Sequence, residues 1–282
     1  MSHSTHMTLL GGKGMLGTDL AAIAARRGYT VTSLDLPAFD ITRAEHLEQA
    51  AAKGGVIVNC AAYTNVEKAE AEPDTANRVN AEAVGLLGTI AGKAGVPVLH
   101  VSTDFVFDGM LDRPYVETDT PNPLSAYGLS KWKGEQALAA SGCRHCIVRV
   151  EWTYGRHGVN FIQKLLDAAV AGKPLRVVDD QVGSPTATTT VSEAICDLLD
   201  KGFPDGVFHL AAEGYASRYG MAQFMFDTLK LPVDLNPCKT SDFPSAARRP
   251  LNSRFDCGKL EAAMGRPLDN WKKTLKDYLE RL

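Results

Sequence analysis

Apolar positions fall into short runs separated by amphipathic stretches, and the alternation is regular through the first half of the chain. Thr8-Leu-Leu10 is a brief apolar run, and residues 15–27 then carry helix-forming Leu, Ala and Arg. Tyr29 to Leu34 is rich in strand-forming residues, Val56-Ile-Val58 is apolar throughout, and Val96 to Ser102 and Cys146 to Val150 repeat the pattern. Pro73 is placed to open a long helix running to about Gly95, and residues 123–140 read as another helix. Strands alternating with helices at this spacing predict right-handed βαβ units and a parallel sheet covered on both faces. Beyond residue 150 the rhythm loosens. Helices are predicted near 160–171, 191–200, 217–229 and 270–281, and short strands near 175–178, 207–211 and 233–236. The Pro-rich stretch from Pro237 to Pro250 reads as loop.

Composition narrows the class. Hydrophobic residues make up 45% and charged residues 22% of the 282, an ordinary globular balance that excludes disorder as the main state. Thirty Lys+Arg against 33 Asp+Glu leave a net charge of -3, which argues against nucleic acid as a partner. No apolar run is long enough to cross a bilayer, so no membrane role is expected. Residues 1–6 lack the apolar core of an export signal and read as an appended remnant, with native sequence starting near Met7. His3 and His6 are therefore set aside as site candidates. The six cysteines are scattered and read as reduced, in a cytoplasmic protein. Cys143-Arg-His-Cys146 has zinc or redox spacing, but Cys146 opens an apolar strand, and the plain strand reading is preferred.

Gly11-x-x-Gly14-x-x-Gly17 follows a predicted strand and opens a predicted helix. The first glycine permits a tight turn, the second lets backbone N–H groups approach a pyrophosphate, and the third lets helix and strand pack closely. The helix N-terminus adds favourable partial positive charge. Asp35 lies 18 residues after Gly17, where a carboxylate can accept both ribose hydroxyls of NAD. Lys13, inside the turn, can instead pair with the 2′-phosphate of NADP, so NADH and NADPH both stay open. The expected fold is α/β, a doubly wound parallel sheet (Rossmann-like) with a smaller mixed α/β C-terminal substrate lobe. Residues 1–150 are assigned to the dinucleotide-binding domain. Residues 151–282 form mainly the substrate-binding lobe, with segments near 187–212 returning to the first domain.

Tyr127-Gly-Leu-Ser-Lys131 puts Tyr and Lys four apart on one helix face. A free tyrosine phenol has a pKa of about 10, and a neighbouring ammonium lowers it. Such a tyrosine can give a proton to a ketone oxygen as hydride reaches carbon. Of the eight tyrosines, Tyr127 alone has Lys at the fourth following position. Ser102-Thr103-Asp104 ends the fourth strand, at the edge where open α/β sheets bind ligands. There the Thr103 hydroxyl can orient a substrate carbonyl. Arg248-Arg249 is a plausible diphosphate contact or a solvated basic pair.

With these segments the chain resembles the extended short-chain dehydrogenase/reductase superfamily and, more narrowly, the dTDP-4-dehydrorhamnose reductase family. The narrower likeness rests on Asn59-Cys-Ala-Ala-Tyr-Thr64, Glu67-Lys-Ala-Glu70, Ser102-Thr-Asp-Phe-Val-Phe-Asp-Gly109, Asp180-Gln-Val-Gly-Ser-Pro-Thr186 and Arg249-Pro-Leu-Asn-Ser253. It implies NAD(P)H-dependent reduction of the C4 ketone of dTDP-4-dehydro-6-deoxy-L-mannose, giving dTDP-L-rhamnose. It also implies site roles. Gly14, Met15 and Leu16, with the turn at Gly11, would hold the pyrophosphate, and Asp35 the adenosine ribose. Asp40 and Ile41 would flank adenine, and Ala62, Tyr63 and Thr64 would lie along the cofactor. Tyr127 would be the proton donor with Lys131 its partner, while Thr103, Asp104 and Trp152 would meet the sugar.

The chain departs from the family at two of these places. Val150-Glu151 stands where Thr-Ser is common, and Phe105 where tyrosine is common. Both bear on which sugar is bound more than on the reaction. A carboxylate at 151 either points to solvent or, beside the sugar pocket, leaves open another nucleotide-linked 4-keto-6-deoxy sugar. The same fold and motifs also occur in a non-catalytic regulatory subunit of methionine adenosyltransferase, which keeps open a role without turnover. No acidic cluster is assignable to magnesium, so no metal is expected. A homodimer is common in the superfamily.

Overall fold

The computed structural model describes residues 6–282. Six strands form the central sheet: β1 (His6–Leu10), β2 (Thr30–Leu34), β3 (Val56–Asn59), β4 (Val98–Thr103), β5 (His145–Val150) and β6 (Gly206–Leu210). They lie in the order β6-β5-β4-β3-β1-β2, and every pairing is parallel. The build direction reverses between β1 and β3, which opens a crevice beyond their carboxyl ends. Of the leader, only His6 is among the described residues. It begins β1, paired with Thr30.

Strand alternation explains the two-sided core. Met7, Leu9 and Val58 face one side, with Leu20 and Ile23 of helix Met15–Arg26 and Val191, Ile195 and Leu198 of helix Thr188–Asp200. Leu10, Ile57 and Ile147 face the other, with Leu47, Val84, Leu87 and Leu138. A separate core in the second half gathers Tyr154, Ile162, Leu165, Met221, Met225, Trp271 and Leu275. Residues 188–210 thus leave the second half and pack on the sheet, through one helix and the edge strand β6. Among the described residues no helix is long and apolar enough to cross a membrane.

Several elements differ from the sequence expectation. The long helix from Pro73 is interrupted by a π-helical turn, Arg78–Glu82, between helices Pro73–Asn77 and Ala83–Lys93. Helices Ala44–Ala51, Val66–Ala71 and Gly258–Met264 are short and were not expected. Leu235–Cys238 is a strand in parallel pairing with Leu175–Val178, so Pro237 lies in a strand rather than in loop. Its partner strand is on one side alone, and a proline is tolerated on such an edge. Cys143 and Cys146 belong to opposite faces of the sheet, and the Cys143 thiol points at the Val96 and Arg144 carbonyls.

One buried ion pair ties the layers together. Arg149 on β5 reaches Glu135 on helix Ala126–Ala140 at 2.6 Å, and both side chains are 2% exposed. Ser102 on β4 donates to the same carboxylate at 2.5 Å, and Arg149 lies 3.4 Å from His209 on β6. The Arg149 guanidinium also sits over the Phe107 ring at 5.1 Å. Losing one partner would strand the other charge in the core. Arg149→Met should therefore cost about 3–5 kcal/mol in denaturant unfolding, and Glu135→Gln/Arg149→Met together less than the sum of the two single changes. Additive losses would show that the pair is not coupled.

Candidate active site

The turn after β1 is compact because glycine alone fits it. Gly11 has φ of 78°, and a Cβ there would lie 2.6 Å from the Ala61 nitrogen. A Cβ on Gly17 would lie 2.1 Å from the Gly11 carbonyl oxygen. Helix Met15–Arg26 starts at Gly14 with no side-chain cap, so its first N–H groups are available to an anion. A glycine cradle that any side chain would fill, backed by an uncapped helix N-terminus, fits a dinucleotide pyrophosphate. Asp35 follows β2 and accepts from Lys13 N at 2.8 Å and Leu36 N at 2.7 Å. Lys13 Nζ donates to the Leu36 carbonyl at 3.0 Å, so acid and lysine share the rim of the turn. The Thr42 N–H and hydroxyl hold the Asp40 carboxyl below its usual range. Ile41 is buried with Phe39 and Leu47. Ala62, Tyr63 and Thr64 follow β3, where Tyr63 N donates to Asn80 and its phenol to Glu72.

Thr103 and Asp104 end β4, and helix Ala126–Ala140 brings Tyr127 and Lys131 to the same edge. Ser125 caps this helix by accepting from Gly128 N at 3.1 Å. Glu70 accepts from Ala126 N at 2.8 Å and fixes the same end. The half-buried Tyr127 lies beside the end of β4. Its phenol is pushed up to about 12, chiefly by burial. The expected lowering by Lys131 is therefore absent here. The reason is geometric: Lys131 is buried and turned to the Val101 carbonyl at 2.7 Å and His100 Nε2 at 3.1 Å. Burial pulls its amine down to about 8.

The Lys131 surroundings are ordered by a hydrogen-bond chain. Asn59 Oδ1 accepts from Ala61 N, which turns Asn59 Nδ2 toward His100 Nδ1 at 3.0 Å. Burial holds His100 well below its ordinary pKa and hence neutral. Phe105 packs edge-on against Tyr127, with ring centroids 5.5 Å apart.

Trp152 follows β5 with φ of 45°, a left-handed conformation that is strained for a bulky residue. Its indole passes over Gly183, where an added Cβ would lie 2.7 Å from Trp152 Cε2. The Arg218 guanidinium stacks on the ring, 3.5 Å from the indole centroid. Beyond Arg218 opens a cleft of about 820 Å³ lined by Phe161, Val177, Phe243, Arg176, Arg248 and Arg249. Four guanidiniums, counting Arg218, and two aromatic rings suit a ligand with phosphate at one end and a flat apolar part at the other.

Arg249 lines this cleft but is also bound, to Glu67 at 2.5 Å and Ser245 at 2.6 Å. Ser245 and Ala247 N donate to Glu67 as well, and these bonds with Arg249 bring its carboxyl down to about 2. Glu67, which follows β3, thus holds the loop that carries Arg249.

The full-length comparisons agree with this layout. The family model described as RmlD substrate binding domain matches residues 5–282. A dTDP-4-dehydrorhamnose reductase of Sinorhizobium fredii is 38% identical, with 96% of this chain and 95% of that protein covered. A crystal structure of the Clostridium acetobutylicum dTDP-4-dehydrorhamnose reductase is 33% identical with TM-score 0.94, covering 98% of this chain and 99% of that one. The Bacillus anthracis dTDP-4-dehydrorhamnose reductase, solved in complex with NADP, is 29% identical with TM-score 0.94 and coverage of 98% and 99%. The chain belongs to the dTDP-4-dehydrorhamnose reductase family.

In this family member, several residues that build the site carried no signal of their own in the sequence. Arg218 is one arginine among many, and only the fold lays it on Trp152. Glu151 does not point to solvent: it is 1% exposed and accepts from Ser184 N at 2.9 Å. His100 reads as a strand residue. The segments that signal the family carry these contacts, since Gly183 and Ser184 lie in Asp180–Thr186, and Ser253, which donates to Asp104 at 2.6 Å, closes Arg249–Ser253.

Two outcomes follow for this reductase-family site. Gly183→Ala should displace the Trp152 indole, read as a changed tryptophan emission with the fold retained; unchanged emission would mean that the close approach is not limiting. The lowered Glu67 pKa stabilises the folded state above the ordinary carboxylate range, and that contribution is lost as pH falls toward about 2. Because the Glu67 side chain is 46% exposed, the effect is local and modest. Amide exchange at residues 245–249, corrected for intrinsic rates, should rise over that window, and Glu67→Gln should raise it already at neutral pH.

Proposed function

We propose that this chain reduces the C4 ketone of dTDP-4-dehydro-6-deoxy-L-mannose with NADH or NADPH, giving dTDP-L-rhamnose. The observation that carries this reading is the meeting of Thr103, Tyr127 and Lys131 at one sheet edge, between the glycine cradle and the arginine-lined cleft. In this reading Gly11, Gly14, Met15 and Leu16 hold the pyrophosphate, and Asp35, with Lys13 beside it, meets the adenosine ribose. Asp40, Ile41, Ala62, Tyr63 and Thr64 line the rest of the dinucleotide. When bound, the nicotinamide supplies the hydride. Residues 1–150 then serve mainly as the dinucleotide domain, and 151–282 mainly as the substrate lobe.

Thr103 positions the sugar carbonyl by hydrogen bonding, and Tyr127 gives its phenol proton to the oxygen that becomes the new hydroxyl. A phenol pushed up to about 12 keeps its proton at neutral pH and still yields it readily to an alkoxide, a stronger base. Lys131 holds the nicotinamide ribose. Trp152 gives the sugar a flat apolar face, and Arg218, Arg248 and Arg249 meet the diphosphate. The intact Thr103, Tyr127 and Lys131 speak for turnover over a purely regulatory subunit. A homodimer and a cytoplasmic location belong to the same reading and rest on the family resemblance.

The test is NADH and NADPH oxidation with dTDP-4-dehydro-6-deoxy-L-mannose. Steady oxidation yielding rhamnose is expected, and Tyr127→Phe should lower kcat by about 10²-fold or more. Cofactor binding with no oxidation of either nucleotide would overturn the proposed substrate.

A further inference from the structure

Beneath the glycine turn a buried imidazole is held between two nitrogen partners. Asn59 ends β3, and His100 lies beside it on β4 as its partner across the parallel pair. Both are fully buried, and Lys131, from helix Ala126–Ala140, is buried with them. His100 Nδ1 lies 3.0 Å from Asn59 Nδ2, and His100 Nε2 lies 3.1 Å from Lys131 Nζ. Lys131 Nζ also donates to the Val101 carbonyl at 2.7 Å. At the other end of the chain, Ala61 N donates to Asn59 Oδ1 at 3.1 Å. The same Ala61 N is the atom against which the Gly11 turn packs.

The directions of these bonds constrain the charge on the amine. A neutral imidazole donates at one nitrogen and accepts at the other. The Ala61 N–H sets the Asn59 amide with its oxygen toward Ala61 and its NH2 toward the ring. Turning the amide over would set that NH2 against the Ala61 N–H, two donors facing each other with neither satisfied. An amide NH2 only donates, so the neutral ring accepts at Nδ1 and carries its proton on Nε2. That N–H points at Lys131 Nζ. An ammonium has no lone pair to receive it, whereas a neutral amine has one.

We propose that Lys131 is a neutral amine in the free protein at neutral pH, that it accepts a hydrogen bond from His100 Nε2, and that Asn59 and His100 are positioning residues that hold it so. The groups around the amine fit this charge. Glu135, one turn further along the same helix, favours an ammonium, but its carboxylate is engaged by Arg149 at 2.6 Å and by Ser102. Cys60, next to Asn59, faces the amine as a thiol, since burial pushes it up to about 12. Tyr127, one turn earlier, keeps its phenol proton. Burial alone brings the amine down to about 8. An ammonium would also break one buried hydrogen bond of the chain, which lowers the titration by a further one to two pH units, on the order of magnitude of such a bond. The neutral amine keeps two N–H groups. One is bound to the Val101 carbonyl, which leaves one for a ribose hydroxyl. With no ammonium one turn away, the Tyr127 phenol retains its proton for delivery. That consequence rests on the reading of Tyr127 as proton donor, whereas the charge of Lys131 does not.

NMR of the purified full chain, with isotope-labelled histidine and lysine and no nucleotide, tests the assignment. The His100 signal, identified by its loss in His100→Phe, should show a protonated Nε2 and a bare Nδ1. The Lys131 signal, identified by its loss in Lys131→Met, should show an amine that becomes an ammonium only below about pH 7. A ring proton on Nδ1, or an ammonium at neutral pH, overturns the proposal. Asn59→Asp tests the positioning role. An aspartate accepts from both Ala61 N and the ring, so the ring proton should move to Nδ1, and the Lys131 titration should rise by about two pH units. The added charge alone would raise the amine without moving the ring proton, so a proton left on Nε2 overturns the role of Asn59. If Asn59→Asp does not fold, His100→Phe decides: loss of the ring N–H should raise the Lys131 titration by about one pH unit, and no rise overturns the role of His100. In turnover of the 4-keto sugar nucleotide, Asn59→Asp should move the basic limb of the kcat profile down by about one pH unit, because an ammonium then stands one turn from the phenol. A fixed limb with the NMR changes present overturns the consequence for Tyr127 and leaves the reductase reading intact. Absence of turnover in the wild type, with its NMR signals as expected, overturns the reductase reading but supports the neutral amine.

Discussion

The Glu135–Arg149 pair is the contact on which the site's geometry depends. A carboxylate on the helix of Tyr127 and Lys131 meets a guanidinium on β5, and Ser102 on β4 and His209 on β6 complete the cluster. With both charges buried, the helix cannot rotate or slide without stranding one of them. That rigidity sets which face of the helix looks at the end of β4. Tyr127 therefore meets the Phe105 ring just beyond β4, and Lys131, one turn further on, is drawn under the sheet edge to His100 and the Val101 carbonyl.

A second set of contacts ties the two halves into one site. Glu70 fixes the start of the Tyr127 helix, while Glu67, on the same short helix, holds the loop that carries Arg249. From the other side, Ser253 returns to Asp104, and Asn252 donates to the Leu111 and Arg113 carbonyls at 2.7 and 2.8 Å. Gly183 leaves room for Trp152, and the next residue, Ser184, binds Glu151 through its backbone. The second half thus delivers an indole, a guanidinium and a carboxyl to a catalytic edge built by the first. The cost is local: strained backbone at Trp152 and a carboxyl oxygen without a partner at Glu151.

The alternating strands and helices of the first half were legible in sequence because βαβ units are local, and apolar alternation is set by the pleat. The glycine turn was legible for the same reason: a tight turn between strand and helix demands residues without side chains at fixed spacing. The placing of Thr103 at a strand end, and of Tyr127 and Lys131 one turn apart on a helix, was legible too, since each depends on its own element. The short helices near 44–51, 66–71 and 258–264 were missed because segments this short derive their stability from packing rather than from pattern. Pro237 was read as loop because its neighbour across the strand lies about 60 residues away in sequence.

What only tertiary structure decided is charge and orientation at the site. Sequence shows an acid at 151 and says nothing of its burial. It shows Tyr and Lys four apart and implies an ammonium beside a phenol, whereas the fold directs that amine to His100 and the Val101 carbonyl. Arg218, Gly183, Ser184 and Ser253 arrive from three separate stretches of the second half. No local period connects them to Trp152 or Asp104. Local spacing determined the architecture and the candidate reacting groups, because those depend on neighbours a few residues apart. The protonation and positioning of those groups depend on partners far off in the chain, and these meet only when both lobes close on the same sheet edge.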